Sequence, residues 1–146
     1  MTTPPDNQSK AHRSTAEQNK NIVVGAFSSA VNGDIDALLA VMHPEIRVHE
    51  PPYLPYGGVY EGTDGFLRLM GEATKYVDLA HAKLLAATAD DMRTVLLMSV
   101  PLVGGGEPVH ITEHWCLSHG LVTDVRVFWF DLPELVQPGT DRAHGA

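Results

Sequence analysis

Residues 49–65 read HEPPYLPYGGVYEGTDG, which sets three tyrosines, three prolines and four glycines between two regular segments. Ahead of the stretch Ile46 and Val48 alternate as a strand does, and Glu50 closes that run immediately before Pro51 and Pro52. Neither proline has a backbone N–H with which to continue a ladder, so the strand must stop with Glu50 at its lip. Tyr53, Tyr56 and Tyr60 then offer aromatic faces with polar ends, a combination suited to a mostly apolar ligand carrying one or two oxygens. A well-packed surface loop would use the same residue types, so the flanking segments decide whether the stretch covers a cavity.

On the N-terminal side, Ile22, Val23, Phe27, Ala30 and Val31 recur at spacings of three and four from about Ser14, and Asn32 with Gly33 closes that helix. Asp34 can cap a shorter helix with Ile35, Leu38, Leu39 and Met42 on its buried stripe, ended by Pro44 after His43. Residues 45–50 form the short strand that leads into the loop. Beyond the loop, Thr63 or Asp64 can cap a third helix whose Phe66, Leu69, Met70, Ala73 and Val77 again mark a single face.

Residues 79–89, 93–103, 109–118 and 121–130 are rich in β-branched and aromatic side chains. Asp90 with Asp91, the run Gly104 to Gly106, and His119 with Gly120 punctuate them as turns. Connections this short make neighbouring strands antiparallel, and strands of about ten residues, at roughly 3.3 Å each, must twist and curve. The predicted fold is α+β, with three N-terminal helices packed on a strongly curved, mostly antiparallel sheet, a cone-shaped α+β barrel that encloses one pocket. It occupies residues 14–132 as a single domain, between a disordered polar tail at 1–13 and a loosely held tail at 133–146.

A chain of 146 residues and 15.8 kDa can bury a core without metal or disulfide staples. Cys116 is the single cysteine, which excludes an intrachain disulfide and suits a reducing cytoplasm. The net charge of -8 has the wrong sign for a general nucleic-acid binder. No apolar run approaches the roughly 20 residues of a spanning helix, and MTTPPDNQSKAHRST lacks the apolar centre of a secretory signal. A cytoplasmic protein with neither nucleic acid nor membrane as partner is expected.

HITEH at residues 110–114 matches the His-x-x-Glu-His spacing of some zinc peptidases, which works only on a helix. Val109, Ile111, Thr112 and Trp115 indicate a strand instead, which would hold the two histidines about 13 Å apart. No metal site is expected. Strand alternation puts Val109, Ile111, Glu113, Trp115 and Leu117 on one face, so Glu113 is the one charged residue in apolar company. Such an acid is paired, titrates abnormally, or sits at an edge that water reaches. Trp129 shares a face with Val125 and Val127 and can floor a pocket there. The glycine runs lack phosphate-loop context, so nucleotide binding has no support.

In order and spacing, NGDIDAL, the acid and prolines of IRVHEPP, GGVYEGTDGF and HGLVTDVRVFWFD resemble the nuclear transport factor 2-like superfamily, in its ketosteroid isomerase-like and SnoaL-like branch. The resemblance spans about Asn19 to Asp131 and implies the fold rather than one activity, because that fold hosts isomerases, cyclases, dehydratases, hydrolases and binding modules. It implies that Glu50 stands where ketosteroid isomerases keep their proton-shuttling aspartate. Glu113 stands near their second, protonated acid, and Trp129 on a pocket tryptophan. The position of the oxyanion tyrosine falls at about Ala26 and Phe27, neither of which donates a hydrogen bond, so ketosteroid isomerisation as such does not carry over. A loop tyrosine can supply the hydroxyl instead.

The sequence thus predicts cofactor-independent acid–base chemistry, of isomerase, cyclase or dehydratase type, on a small oxygenated molecule. The alternative is a small-molecule-binding or protein-interaction module on the same fold. Glu50 and Glu113 are the candidate catalytic residues; Phe27, Tyr53, Tyr56, Tyr60, Trp115, Val125 and Trp129 are the candidate ligand contacts. A homodimer is expected through the outer sheet face, where Arg126, Phe128 and Phe130 alternate with the inward-facing residues.

Overall fold

The computed structural model describes residues 7–135, with side chains from residue 15 onward. The predicted tail character at 1–6 and 136–146 lies outside the described residues. Helix α1 covers Asn7–Asn32, so it begins well before Ser14. It ends on Gly33, whose φ of 72° is easy only for glycine. Asp34 N–H donates to Ser29 O (2.8 Å) and Gly33 N–H to Ala30 O (3.2 Å), the paired bonds of a glycine-capped helix end. Asp34 then caps α2 (Ile35–Ala40) by accepting from Ala37 N–H at 3.2 Å.

Strand β1 (Met42–Glu50) starts earlier than predicted and contains Pro44. The ladder tolerates this proline because the register against β6 jumps between Met42↔Val122 and Arg47↔Asp124, leaving Pro44 in a bulge where no ladder N–H is required. The loop holds a further strand that its glycines and prolines obscured in the sequence, β2 (Gly58–Glu61), antiparallel to β1. Helix α3 (Gly62–Ala73) follows it directly, so its cap position is Glu61 and not Thr63 or Asp64, both of which lie inside the helix.

A 3-10 turn (Leu79–His81) takes up the start of the predicted strand at 79–89, and β3 is Lys83–Ala89. β4 (Arg93–Val100), β5 (Val109–Ser118) and β6 (Leu121–Trp129) complete a six-stranded sheet in the order β2-β1-β6-β5-β4-β3. Asp90 Oδ1 accepts from Met92 N–H (2.8 Å) and Arg93 N–H (2.7 Å) to form the β3–β4 turn. His119 (φ 51°) and Gly120 (φ 78°) form the two-residue β5–β6 turn, whose left-handed pair matches the strand twist. All neighbours are antiparallel except β1 and β6.

The architecture is α+β as predicted, with the three helices on one side of the sheet. The cone-shaped barrel is corrected in one respect: the sheet is curled but not closed, because β2 and β3 remain its two edges. α1 lies over β3 and β4, and α3 over β1 and β2. Val23, Leu38, Ile46, Leu96 and Val122 are fully buried between the layers. No helix of the described residues is long and apolar enough to cross a membrane.

Candidate active site

The end of β1 carries Glu50, the middle of β5 carries Glu113 with Trp115 two residues on, and alternate positions of β6 carry Val125, Val127 and Trp129. Together with the apolar face of α3 they enclose a cavity of about 100 Å³. Glu50, Tyr56, Glu113, Trp115, Val125 and Trp129, six of the nine residues singled out in the sequence, line it. Sequence reasoning missed Val127 and the wall formed by Phe66, Leu69, Met98 and Ile111. Val127 was available from the alternation along β6. The others read as ordinary core, because a cavity wall and a packed core use the same apolar residues.

The remaining three lie elsewhere. Phe27 is half-buried against the core from α1 and does not reach the cavity. Tyr53 is 55% exposed and lines an outer cleft. Tyr60 is buried and serves the loop itself: its hydroxyl donates to Tyr56 O at 2.8 Å, and the Arg68 guanidinium lies 4.6 Å from its ring centre. Tyr60 thereby fixes the backbone that presents Tyr56, whose ring also meets Tyr76 at 5.8 Å.

Burial, and then the charge of Glu113, pushes the Glu50 carboxyl up to about 8. Burial also pushes Glu113 up to about 7, against the lowering effect of a 3.3 Å hydrogen bond from Trp115 Nε1–H to its Oε1. The two acids therefore ionise as a pair, and the Trp115 bond favours the first charge on Glu113. The Tyr56 hydroxyl is raised above the ordinary tyrosine range by burial, then by Glu50 and Glu113, so it stays a donor through neutral pH. Glu50 Oε2 and Trp129 Nε1 are buried without a protein hydrogen-bond partner.

HITEH lies on β5, as a strand, with His110 and His114 on its outer face. His110 N–H donates to Asp131 Oδ2 at 2.8 Å, and the His114 ring meets Phe128 edge-on at 4.9 Å. Among the described residues no group of three His, Cys, Asp or Glu side chains is placed to hold a metal ion.

A curled, open six-stranded sheet with three helices packed on it is the α+β fold of the nuclear transport factor 2-like proteins. The structure superposes on Bal32a from a soil-derived mobile gene cassette with a TM-score of 0.72, at 20% identity over 80% of this chain and 92% of that one. A candidate ketosteroid isomerase from Kribbella flavida gives 0.67 at 20% identity, over 88% and 87% of the two chains. TerC, co-crystallized with polyporic acid, gives 0.66 at 16% identity, over 77% and 91%. At these identities the likeness is one of fold. A comparison with curated proteins finds no match. Residues 23–125 match the SnoaL-like domain, and the chain belongs to that family.

Proposed function

We propose that this protein is a cofactor-independent acid–base enzyme that moves a proton on a small, mostly apolar, oxygenated molecule. The observation that carries the reading is two carboxyls, Glu50 and Glu113, sharing one apolar cavity and both raised into the neutral range, to about 8 and about 7. An ordinary carboxylate, at about 4.3, is too weak a base for a carbon-bound proton, and removing water from it closes much of that gap. The singly ionised pair carries its charge mainly on Glu113. Its minor form, with the charge on Glu50 and the proton on Glu113, is the one in which Glu50 takes the proton next to a carbonyl. Glu113 in its neutral form, or the Tyr56 hydroxyl, donates to the oxygen where negative charge develops. The proton then returns at a second carbon for isomerisation, or the enolate attacks or expels a group for cyclisation or dehydration. The known family, with neighbours that include a candidate ketosteroid isomerase and a candidate polyketide cyclase, supports this class of chemistry.

The working form carries one proton on two acids, so the rate should follow a bell with limbs near 7 and 8. Deuterium exchange at the α-carbons of cyclic and β,γ-unsaturated ketones, followed by NMR in D₂O, tests the reading. Exchange above background that is lost in Glu50→Gln supports it. No exchange across the panel, with tight retention of an unreacted ligand, supports the binding-module alternative.

The same reading includes a homodimer through the outer sheet face. Phe128 is 49% and Phe130 88% exposed, an apolar edge to a face that also carries His114 and Arg126. Association through the β5–β6 half of that face would leave the β1–β2 half free. Light scattering that reports the mass of one chain at high micromolar concentration would overturn it.

A further inference from the structure

The cavity of about 100 Å³ holds less than a single aromatic ring, for which about 150 Å³ is a working size. A ligand large enough to bind specifically must extend out of it. Two openings adjoin it. One is a groove of about 590 Å³ between α1, α3 and the 3-10 turn, which shares Met70, Val77 and Leu79 with the cavity. The other is a cleft of about 470 Å³ that shares Glu50, Val127 and Trp129 with it and is rimmed by Tyr53, Val59 and Phe128.

The cleft has a structural cause. β1 and β6 pair in parallel only as far as His49↔Arg126, and Pro51 and Pro52 then carry the first strand away. β6 continues to Trp129 against β5 alone, through Val127↔Glu113 and Ile111↔Trp129. The strands part, and the sheet opens between them. Three buried side-chain polar atoms of the described residues lack a hydrogen-bond partner; two of them, Glu50 Oε2 and Trp129 Nε1, belong to residues that line this gap. The third, Thr94 Oγ1, belongs to a residue opposite Trp115 in the ladder. The helix-side groove has none. Leaving a buried N–H unmade is costly, and an indole N–H can only donate.

We infer that the gap between the ends of β1 and β6 is the ligand doorway, and that Trp129 Nε1–H donates to an acceptor oxygen on the ligand as it lies beside Glu50. The ligand class follows: a molecule at least two fused rings long, apolar where it meets Tyr53 and Val59, with a carbonyl or hydroxyl oxygen at the gap. A carbonyl oxygen has two lone pairs, so the Trp129 N–H can act alongside the donors assigned above. The inference rests on the acid–base reading only for the direction in which the carbonyl faces; binding tests it separately.

The test compares 2-tetralone with tetralin, which match in shape and differ by one oxygen, titrated into methyl-labelled protein by NMR. The doorway predicts shifts at Val59 and Val127, with Val31 in the helix-side groove unmoved. The indole donor predicts that 2-tetralone binds about tenfold more tightly than tetralin, and that Trp129→Phe removes that preference while tetralin affinity changes less than about twofold. Shifts confined to Val31 and its groove overturn the doorway. Equal affinities, a preference that survives Trp129→Phe, or no binding of either probe at millimolar concentration overturn the donor. Should Trp129→Phe fail to fold, Val59→Glu at the exposed rim serves instead, and unchanged affinity for both probes overturns the cleft. Loss of α-proton exchange is a separate readout, so the acid–base reading can fail while this one holds.

Discussion

Along β5 and β6 the ladder runs from Ile111↔Trp129 to Ser118↔Leu121 with one shift, and a two-residue turn closes it. Between the end of β1 and the start of α3 the chain instead passes three prolines, two consecutive turns and a four-residue strand. The hairpin holds Glu113 and Trp115 on one rigid face, and its Glu113 carboxylate has a partner in that same tryptophan. The irregular segment delivers Glu50 with one oxygen unpartnered. A continuous ladder satisfies its backbone polar groups, and the hairpin's own unpartnered atom, Trp129 Nε1, belongs to its last pair, beside the gap. The hairpin is the frame; the broken strand end makes the opening.

The largest effect should come from the broken side. Glu50→Gln keeps shape and removes the base, so proton exchange should fall roughly 10²- to 10⁴-fold while ligand affinity stays nearly unchanged. The same variant has a stability signature. The folded protein keeps protons on Glu50 and Glu113 that the unfolded chain releases near 4.5, so stability is greatest below that pH and declines as pH rises through about 7 and 8. Melting curves from pH 5 to 9 should show this decline in the parent and a flatter one in Glu50→Gln.

On the frame side, Trp115→Ala should cost about 3 to 5 kcal/mol, because the side chain is buried between the sheet and the cavity. A fall in melting temperature below about 5 °C would mean that the hairpin tolerates a hole there. The two regions can then be separated with glycines. A Cβ on Gly57 would collide with Pro51 O and sit 2.9 Å from Pro52 Cα, so Gly57→Ala must shift the loop. It should cost about 1 to 3 kcal/mol and lower exchange as well. A Cβ on Gly120 meets only Ile22 Cδ1 at 3.9 Å, which leaves the strain of its φ of 78°. Gly120→Ala should cost about 1 kcal/mol with exchange intact. Equal effects of both variants on exchange would erase the distinction between frame and opening.

The same contrast decided what could be read from the sequence. β5 was predicted with its observed ends, and Glu113 stood out as a charge on an apolar face, because period-two alternation fixes which way a strand side chain points. Glu50 was placed at a strand end by the two prolines after it. The loop tyrosines had no such ruler. Tyr56 faces the cavity, Tyr60 braces the loop and Tyr53 lies outside, a division set by turns whose residues carry no periodicity. β2 was missed for the same reason, being short and flanked by glycine. The parting of β1 from β6 depends on a long-range parallel pairing, which neither strand's sequence records.

The central claim is that two carboxyls share a cavity that keeps them protonated near neutral pH, and carboxyl ¹³C NMR of labelled glutamate reads it directly. The account predicts midpoints near 8 for Glu50 and near 7 for Glu113. In Glu113→Gln the Glu50 midpoint should fall while staying above the ordinary value, because burial is the larger cause and the Glu113 charge the smaller. Both glutamates titrating near 4.5 in the parent would contradict it, since neither would then be out of water or within reach of the other.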